Sequence, residues 1–239
     1  VQGTAAAEFA SKELKAKKVA IVAVDLDFGT EQAEAFKKAA KGLGMEIVSE
    51  DYIDIADNDM TSVISKIKGE GVDLIYSVNY YEQAAEVCRQ VKAQEVDVDI
   101  LGTEGADSWQ LLETAGDAAQ GLYITTNMNR DDESEATQAY IEQYRTTYEM
   151  EPDMVGASVY DAFQVLFSAF GEVGTGDSEA LAANIAGMTD FATVTGTLIK
   201  YTENGSAVKP VQIQKVGDDT LFHNVMSIDD EKIINPDNY

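Results

Sequence analysis

The chain has 239 residues, 45% of them apolar, which is enough to build one large domain or two smaller lobes around a core. Asp and Glu number 43 against 17 Lys and Arg, and the resulting net charge of −26 repels nucleic acid and anionic lipid, so neither is expected as a partner. No run approaches the roughly 18–20 apolar residues needed to cross a bilayer, which excludes a membrane-spanning role.

Such acidity suits either the steering of a cationic ligand or a solvated surface that keeps a secreted or salt-exposed protein in solution, and the second is the plainer reading. The start, Val1-Gln2-Gly3-Thr4, has neither an initiator Met nor the basic and apolar regions of an export signal, so a preceding segment is expected.

Residues 4–16 carry Ala6, Phe9, Ala10 and Leu14 at helical spacing, and 19–24 form a continuous apolar run suited to a parallel strand covered on both faces. A helix follows over about 30–43, with Ala33, Phe36 and Ala40 on one stripe and Gly42 and Gly44 at its end. Residues 46–53 read as the second strand. Asp59 is placed to cap a helix over 60–68, because its carboxylate can accept from the unpaired amides of the first turn. The acidic cluster at 54–59 lacks the Asp-x-Asp-x-Asp-Gly spacing and later Glu of a calcium loop, so no metal is expected there.

A third strand over 73–78, a helix over 82–94, a fourth strand over 99–102, a short helix over 108–115 and a fifth strand over 121–125 complete the first half. The lone Cys88 shares the apolar side of its helix with Ala84, Val87 and Val91 and reads as a small core residue rather than a catalytic thiol. Repeated β-α units with short connections imply right-handed crossovers and an α/β fold, a doubly wound parallel sheet with helices on both faces.

The second half behaves differently. Helices near 134–148, 155–170 and 178–185 follow one another with hardly a strand between them. The 155–170 helix is apolar nearly all round, with Val159, Tyr160, Phe163, Leu166, Phe167 and Phe170, so it is expected to be buried, yet nothing in the chain supplies the sheet it needs. Leaving four such side chains wet would forgo roughly 6–12 kcal/mol, as much as a whole domain's net stability. A β-rich segment then runs over 193–201, an Asn204-Gly205 turn, 211–216 and 220–225. The expected organisation is a near-complete ligand-binding lobe over 1–126, completed by about 208–228, an incomplete second lobe over 127–207 with its sheet largely missing, and a C-terminal tail over 229–239.

In a doubly wound sheet of order 2-1-3-4-5, ligands bind beyond the carboxyl ends of the strands, and strands 1, 3 and 4 flank one another. Their ends carry Asp25-Leu26-Asp27-Phe28-Gly29, Asn79-Tyr80-Tyr81-Glu82 and Thr103-Glu104-Gly105. An aromatic, a phenol and a carboxylate converging there suit a small ligand with an ammonium group: Glu104 offers a charge-assisted acceptor, and Tyr80 with Phe28 an apolar or cation–π surface. The alternatives are a solvated loop carboxylate for Glu104 and a rim aromatic packing on its neighbour for Tyr80. Asp25 and Asp27 read as turn or cap residues, with Asp27 kept among the candidate ligand contacts.

An ordered set of segments then resembles a known family. Gln2-Gly3-x-x-Ala6-Ala7-x-Phe9, Lys18-Val-Ala-Ile-Val followed by Phe28-Gly29, Asp73-Leu-Ile-Tyr76, Tyr80-Tyr81 with Arg89-Gln90, Gly102-Thr-Glu104-Gly105, Gly116-Asp-Ala-Ala-x-Gly121, Tyr160-Asp161-Ala162 and Gly196-x-x-x-x-Tyr201-x-x-x-Gly205 are similar to the type I periplasmic solute-binding proteins, above all the branched-chain amino-acid (Leu/Ile/Val) receptors of ABC transporters. The resemblance covers essentially the whole chain. It implies a two-lobed clamp with three hinge crossings that closes over an amino acid, works with an ABC transporter permease, and is periplasmic or extracellular, as a free protein or a membrane-anchored lipoprotein. It implies no enzyme activity and no cofactor.

On the same resemblance, Glu104 matches the acidic residue that takes the ligand's ammonium, Tyr80 the tyrosine of the cleft, and Phe28 the aromatic before the first glycine, where close relatives carry Tyr. Val155 is implied as a contact from the other lobe. In that family about a third of the chain precedes the segment matching Gln2-Gly3 and supplies the partners of the ligand carboxylate. A C-terminal portion alone is therefore expected to bind poorly and to self-associate through its incomplete lobe.

Two other readings stay open at this point. A sensor domain of the same fold would signal instead of delivering cargo. An enzyme has thin support, because the single His223 lies in the late β segment and neither a Gly-x-Ser-x-Gly elbow nor a phosphate-binding glycine loop is present.

Overall fold

The computed structural model describes residues 1–239. Five parallel strands, β1 (Lys18–Val24), β2 (Glu46–Ile53), β3 (Leu74–Val78), β4 (Asp99–Gly102) and β5 (Tyr123–Thr126), lie in the order β2-β1-β3-β4-β5. The order follows from alternation: each apolar strand is followed by an amphipathic helix that must return over one face before the next parallel strand can pair. Helices α1 (Gln2–Lys12) and α2 (Asp27–Gly42) cover one face, and α3 (Thr61–Glu70), α4 (Tyr81–Ala93) and α5 (Trp109–Ala115) the other. The two apolar layers are equal, 22 buried residues each, so the sheet has no wet face. The six buried residues that end β1 are accordingly apolar on both sides.

Local signals account for the helix ends. Ser108 accepts from the Gln110 amide at the start of α5, and Asp59 accepts from the Thr61 amide that opens α3 at 2.9 Å. Asp54 and Asp57 take the amides of Ala56 and Asp59 in two successive Asx turns. Asp27 does not act as a cap: it is the first residue of α2, whose N-cap position is Leu26, and its exposed carboxylate stands in the first turn. Cys88 is buried in the α4 layer, where desolvation pushes its thiol up to about 12.

Beyond β5 come α6 (Glu135–Tyr148), α7 (Met154–Val173) and α8 (Ser178–Ala186), then a three-stranded antiparallel sheet of β6 (Thr189–Thr193), β7 (Gly196–Tyr201) and β8 (Ala207–Val208). The 193–201 segment is thus a hairpin turn followed by a strand, where the pattern predicts one continuous β segment. Gly196 closes the turn with a φ of 96°, and a long-range contact holds it: the buried Asp161 carboxylate on α7 accepts from the amides of Val194 and Thr195. The apolar core of this part comprises five buried residues, Met128, Tyr140, Ile141, Ala157 and Val194. Along α7 only Ala157, Asp161, Val165 and Ala169 are buried, a stripe one side chain wide at four-residue spacing. The burial expected for the remainder of that helix is not met within these residues, and Val159, Phe163, Phe167 and Phe170 face solvent.

The chain then returns to the first sheet. β9 (Val211–Val216) pairs antiparallel with β5, and β10 (Phe222–Ile228) pairs antiparallel with β9 at the edge, making a seven-stranded, mostly parallel sheet. The last residues form α9 (Glu231–Ile234), which packs on α1 and buries Ile234. No helix is long and apolar enough to cross a membrane.

Candidate functional site

The carboxyl ends of β1, β3 and β4 are level. Ala23 pairs with Val78, and Ser77 with Gly102, so the residues that follow leave the sheet at one edge. Each strand then passes through an extended residue into a helical turn: Leu26 before α2, Tyr80 before α4, and Thr103 before the 3-10 turn Glu104–Ala106. Short loops of this kind bring three side chains together.

The rings of Phe28 and Tyr80 stack with centroids 5.1 Å apart and planes 19° from parallel. Gly105 lies against the Phe28 ring and the backbone just before Tyr80. A Cβ there would stand 2.7 Å from the Asn79 carbonyl oxygen and 3.0 Å from Cζ of Phe28, so only glycine lets the loop after β4 approach this closely. Glu104 is thereby held next to the Phe28 ring's loop and turns its side chain towards α2, where Gln32 donates to Oε1 at 2.7 Å.

The second carboxylate oxygen, Oε2, is buried and has no hydrogen-bond partner. Burial raises the Glu104 pKa above its ordinary value, against the opposing effect of its hydrogen bonds. Three more buried polar atoms without partners lie on the same α1/α2 face or beside it: the Tyr76 hydroxyl in the middle of β3, Oγ1 of Thr103 and Oε1 of Gln32. Tyr76 stacks on Phe36 at 4.1 Å, and its hydroxyl is raised well above the usual tyrosine value by burial, with the Glu104 charge adding to the effect. Buried polar groups in a folded protein are rarely orphaned, so a carboxylate oxygen, an amide oxygen and hydroxyls left unpaired make these groups candidates for bonds to a donor from outside the chain.

The predicted trio Phe28, Tyr80 and Glu104 is therefore gathered at one edge. Asp27 stands beside Phe28 but is exposed. Val155 stands apart, in the first turn of α7, 60% exposed. His223 is at the other end of the sheet: it pairs with Lys215, which also pairs with Tyr123 at the start of β5, and its ring bonds Asp219 at 2.9 Å. Two further polar groups escaped the sequence reading. Gln32 is one, although it follows Phe28 by four residues and so shares its helix face.

Arg130 is the other. It ion-pairs with the fully buried Asp107 carboxylate, donates to Gln214 Oε1 at 2.7 Å and to the Pro152 carbonyl at 3.0 Å, and lies 5.1 Å over the Phe222 ring. Gln214 in turn donates to the Met128 carbonyl at 2.6 Å. This network ties the loop after β4 and strand β9 to the segment that leads into α7. Its members are far apart in sequence, and charge patterning alone does not pair them.

A family model described as periplasmic binding protein matches residues 1–220. The leucine-, isoleucine-, valine-, threonine- and alanine-binding protein of Pseudomonas aeruginosa is 25% identical over 198 residues, 83% of this chain and 52% of that protein. The crystal structure of a leucine binding protein, LivK, from Thermotoga maritima superposes with a TM-score of 0.87 at 29% identity, covering 100% of this chain and 66% of that one. The substrate binding protein LivJ of a Streptococcus pneumoniae branched-chain amino acid transporter, in complex with isoleucine, gives 0.82 at 25% identity over 94% of this chain and 64% of that one. The chain thus spans about half the length of the curated relative and under two thirds of these solved structures.

Proposed function

The chain belongs to the periplasmic binding protein family, and from that premise we propose that it is the solute-binding component of an ABC transporter, periplasmic or extracellular, that captures a branched-chain or related amino acid and delivers it to the permease. The observation that carries the reading is the Glu104 carboxylate, with one oxygen held by Gln32 and the other buried and free, next to the Phe28–Tyr80 stack. A carboxylate oxygen that gave up water on folding without gaining a hydrogen bond is poised for a cationic donor, and a charge-assisted bond to an ammonium is the strong kind. The stacked rings offer an apolar shelf beside it.

Phe28 carries no hydroxyl, so within the pair only Tyr80 can add a hydrogen bond. Residues 1–126 with 208–228 form the lobe that presents these groups, residues 127–207 belong to a second lobe, and Val155 contributes from there. The carboxylate end of the ligand requires partners outside residues 1–239, which makes binding by this chain weak and leaves α7 as the face through which it self-associates.

Calorimetric and NMR titration with L-leucine, and with 4-methylpentanoate, which lacks only the ammonium, tests both parts. Millimolar leucine is expected to perturb the Glu104 resonances while 4-methylpentanoate does not. Equal responses to both would overturn the role of Glu104, and micromolar affinity for leucine would overturn the proposal that carboxylate partners lie elsewhere.

A further inference from the structure

We propose that Gln32 is a positioning residue for Glu104 and a second acceptor for the same cation, so that the subsite selects a primary ammonium group. The inference rests on the reading of Glu104 as the cation partner. Its grounds are geometric. The Gln32 amide has two ends, and both are accounted for at this place: Nε2 donates to Glu104 Oε1 at 2.7 Å, and Oε1 is buried without a partner.

One contact fixes the carboxylate. With Oε1 engaged, rotating the group would break that bond, and Oε2 is left without a hydrogen-bond partner. The amide oxygen of Gln32 is part of the same side-chain pair, so two unpartnered acceptors sit on directly bonded neighbours. A primary ammonium has three N–H donors and can serve both; a trimethylammonium group has none and can serve neither.

The position of Gln32 itself is set by backbone packing. A Cβ on Gly3 would stand 2.6 Å from the Gln32 carbonyl oxygen and 2.9 Å from the Phe36 amide nitrogen, so α1 crosses α2 at this turn with backbone against backbone. Gln32 is thus anchored at its main chain by α1 and at its amide by Glu104. Its place in mid-helix, one turn beyond Phe28, gives it no capping or turn role that would otherwise account for it.

The test uses the 239-residue chain with Gln32→Met, which keeps the length and volume of the side chain and removes both the donor and the acceptor, and Gln32→Lys, which keeps a donor. The first readout is the titration of Glu104 followed by carbon-13 NMR without ligand. A donor to the carboxylate favours its charged form, so Gln32→Met is expected to move that titration further upward and Gln32→Lys downward. An unchanged titration in Gln32→Met would overturn the positioning role, whatever the ligand results.

The second readout is the response of the Glu104 resonance to L-leucine and to its N,N,N-trimethyl derivative. Wild type is expected to respond to leucine alone. Gln32→Met is expected to respond about tenfold or more weakly, the factor set by one hydrogen bond to a charged group. Equal response of wild type and Gln32→Met to leucine would overturn the second-acceptor role. A wild-type chain that ignores leucine at all concentrations would count against the amino-acid reading itself and against the selectivity drawn from it, while the ligand-free titration would still decide the positioning role.

Discussion

Phe36 and Phe167 both lie on helices of one chain, yet the first is 0% exposed and the second 62%. The difference is one of partners. Phe36 stacks on Tyr76 inside a sheet whose two faces each carry 22 buried residues. Phe167 is exposed on α7, in a region whose apolar core has five buried residues. Apolar patterning states that a face needs cover, and only the remainder of the fold states whether the cover is there. What holds the α7 region together is polar instead. The buried Asp161 accepts from two backbone amides and the Thr195 hydroxyl, and Lys209 donates to it at 3.2 Å.

The sharpest way to break this comparison is in the well-packed half. Phe36→Ala is expected to cost about 3–5 kcal/mol, the range for emptying a fully buried aromatic site, and to lower the melting temperature of the whole chain. If thermal melts by circular dichroism showed a loss below about 1 kcal/mol, the core would be looser than the burial implies.

Asp161→Ala comes next, at about 3 kcal/mol, since it leaves Lys209 buried without its counter-charge and frees two amides. Burial already holds the Lys209 pKa below its ordinary value despite the Asp161 charge. Hydrogen exchange is expected to show the loss concentrated in β6, β7 and α7, with protection of the seven-stranded sheet retained; uniform loss would mean the two regions unfold as one.

Glu104 provides a smaller, pH-dependent contrast. Its pKa is raised from 4.5 in the folded state, so the folded chain binds that proton more readily than the unfolded one, and the ionised form costs stability at pH values above the folded pKa. Stability relative to Glu104→Gln should therefore recover as the pH falls through the folded pKa towards 4.5. Melting temperatures of the two chains measured from pH 7 downward check the sign, and a gap that widens on acidification would contradict it. At the low end, Phe167→Ser is expected to change stability by less than about 0.5 kcal/mol, as for a surface position, while reducing self-association seen by analytical ultracentrifugation.

Much of the first region was legible. The strand order, the helix faces and the meeting of Phe28, Tyr80 and Glu104 all follow from alternation and from the rule that such sheets bind at their carboxyl edge. The remainder was hidden for one physical reason, sequence separation. Gln32 reaches Glu104 across 72 positions, Asp161 holds a turn amide 33 residues downstream, and Arg130 joins Asp107 to Gln214. A side chain whose partner lies that far along the chain leaves no periodic or local trace. The uncovered state of α7 was legible too, because the apolar helix stood in a segment with hardly a strand to cover it, and its Val159, Phe163, Phe167 and Phe170 are exposed.

Asp107 follows Glu104 by three residues and closes the 3-10 turn Glu104–Ala106, its amide donating to the Glu104 carbonyl. From Asp107 the chain of bonds runs through Arg130 to the Pro152 carbonyl at the threshold of α7, and through Thr126 to the end of β5. The guanidinium is a flat fork whose bonds to Asp107, Gln214 and the Pro152 carbonyl hold three separate segments at one point, so separating any of them breaks a buried, charge-assisted bond. The turn that carries Glu104 is thereby bonded, through Asp107 and Arg130, to the start of the helical region.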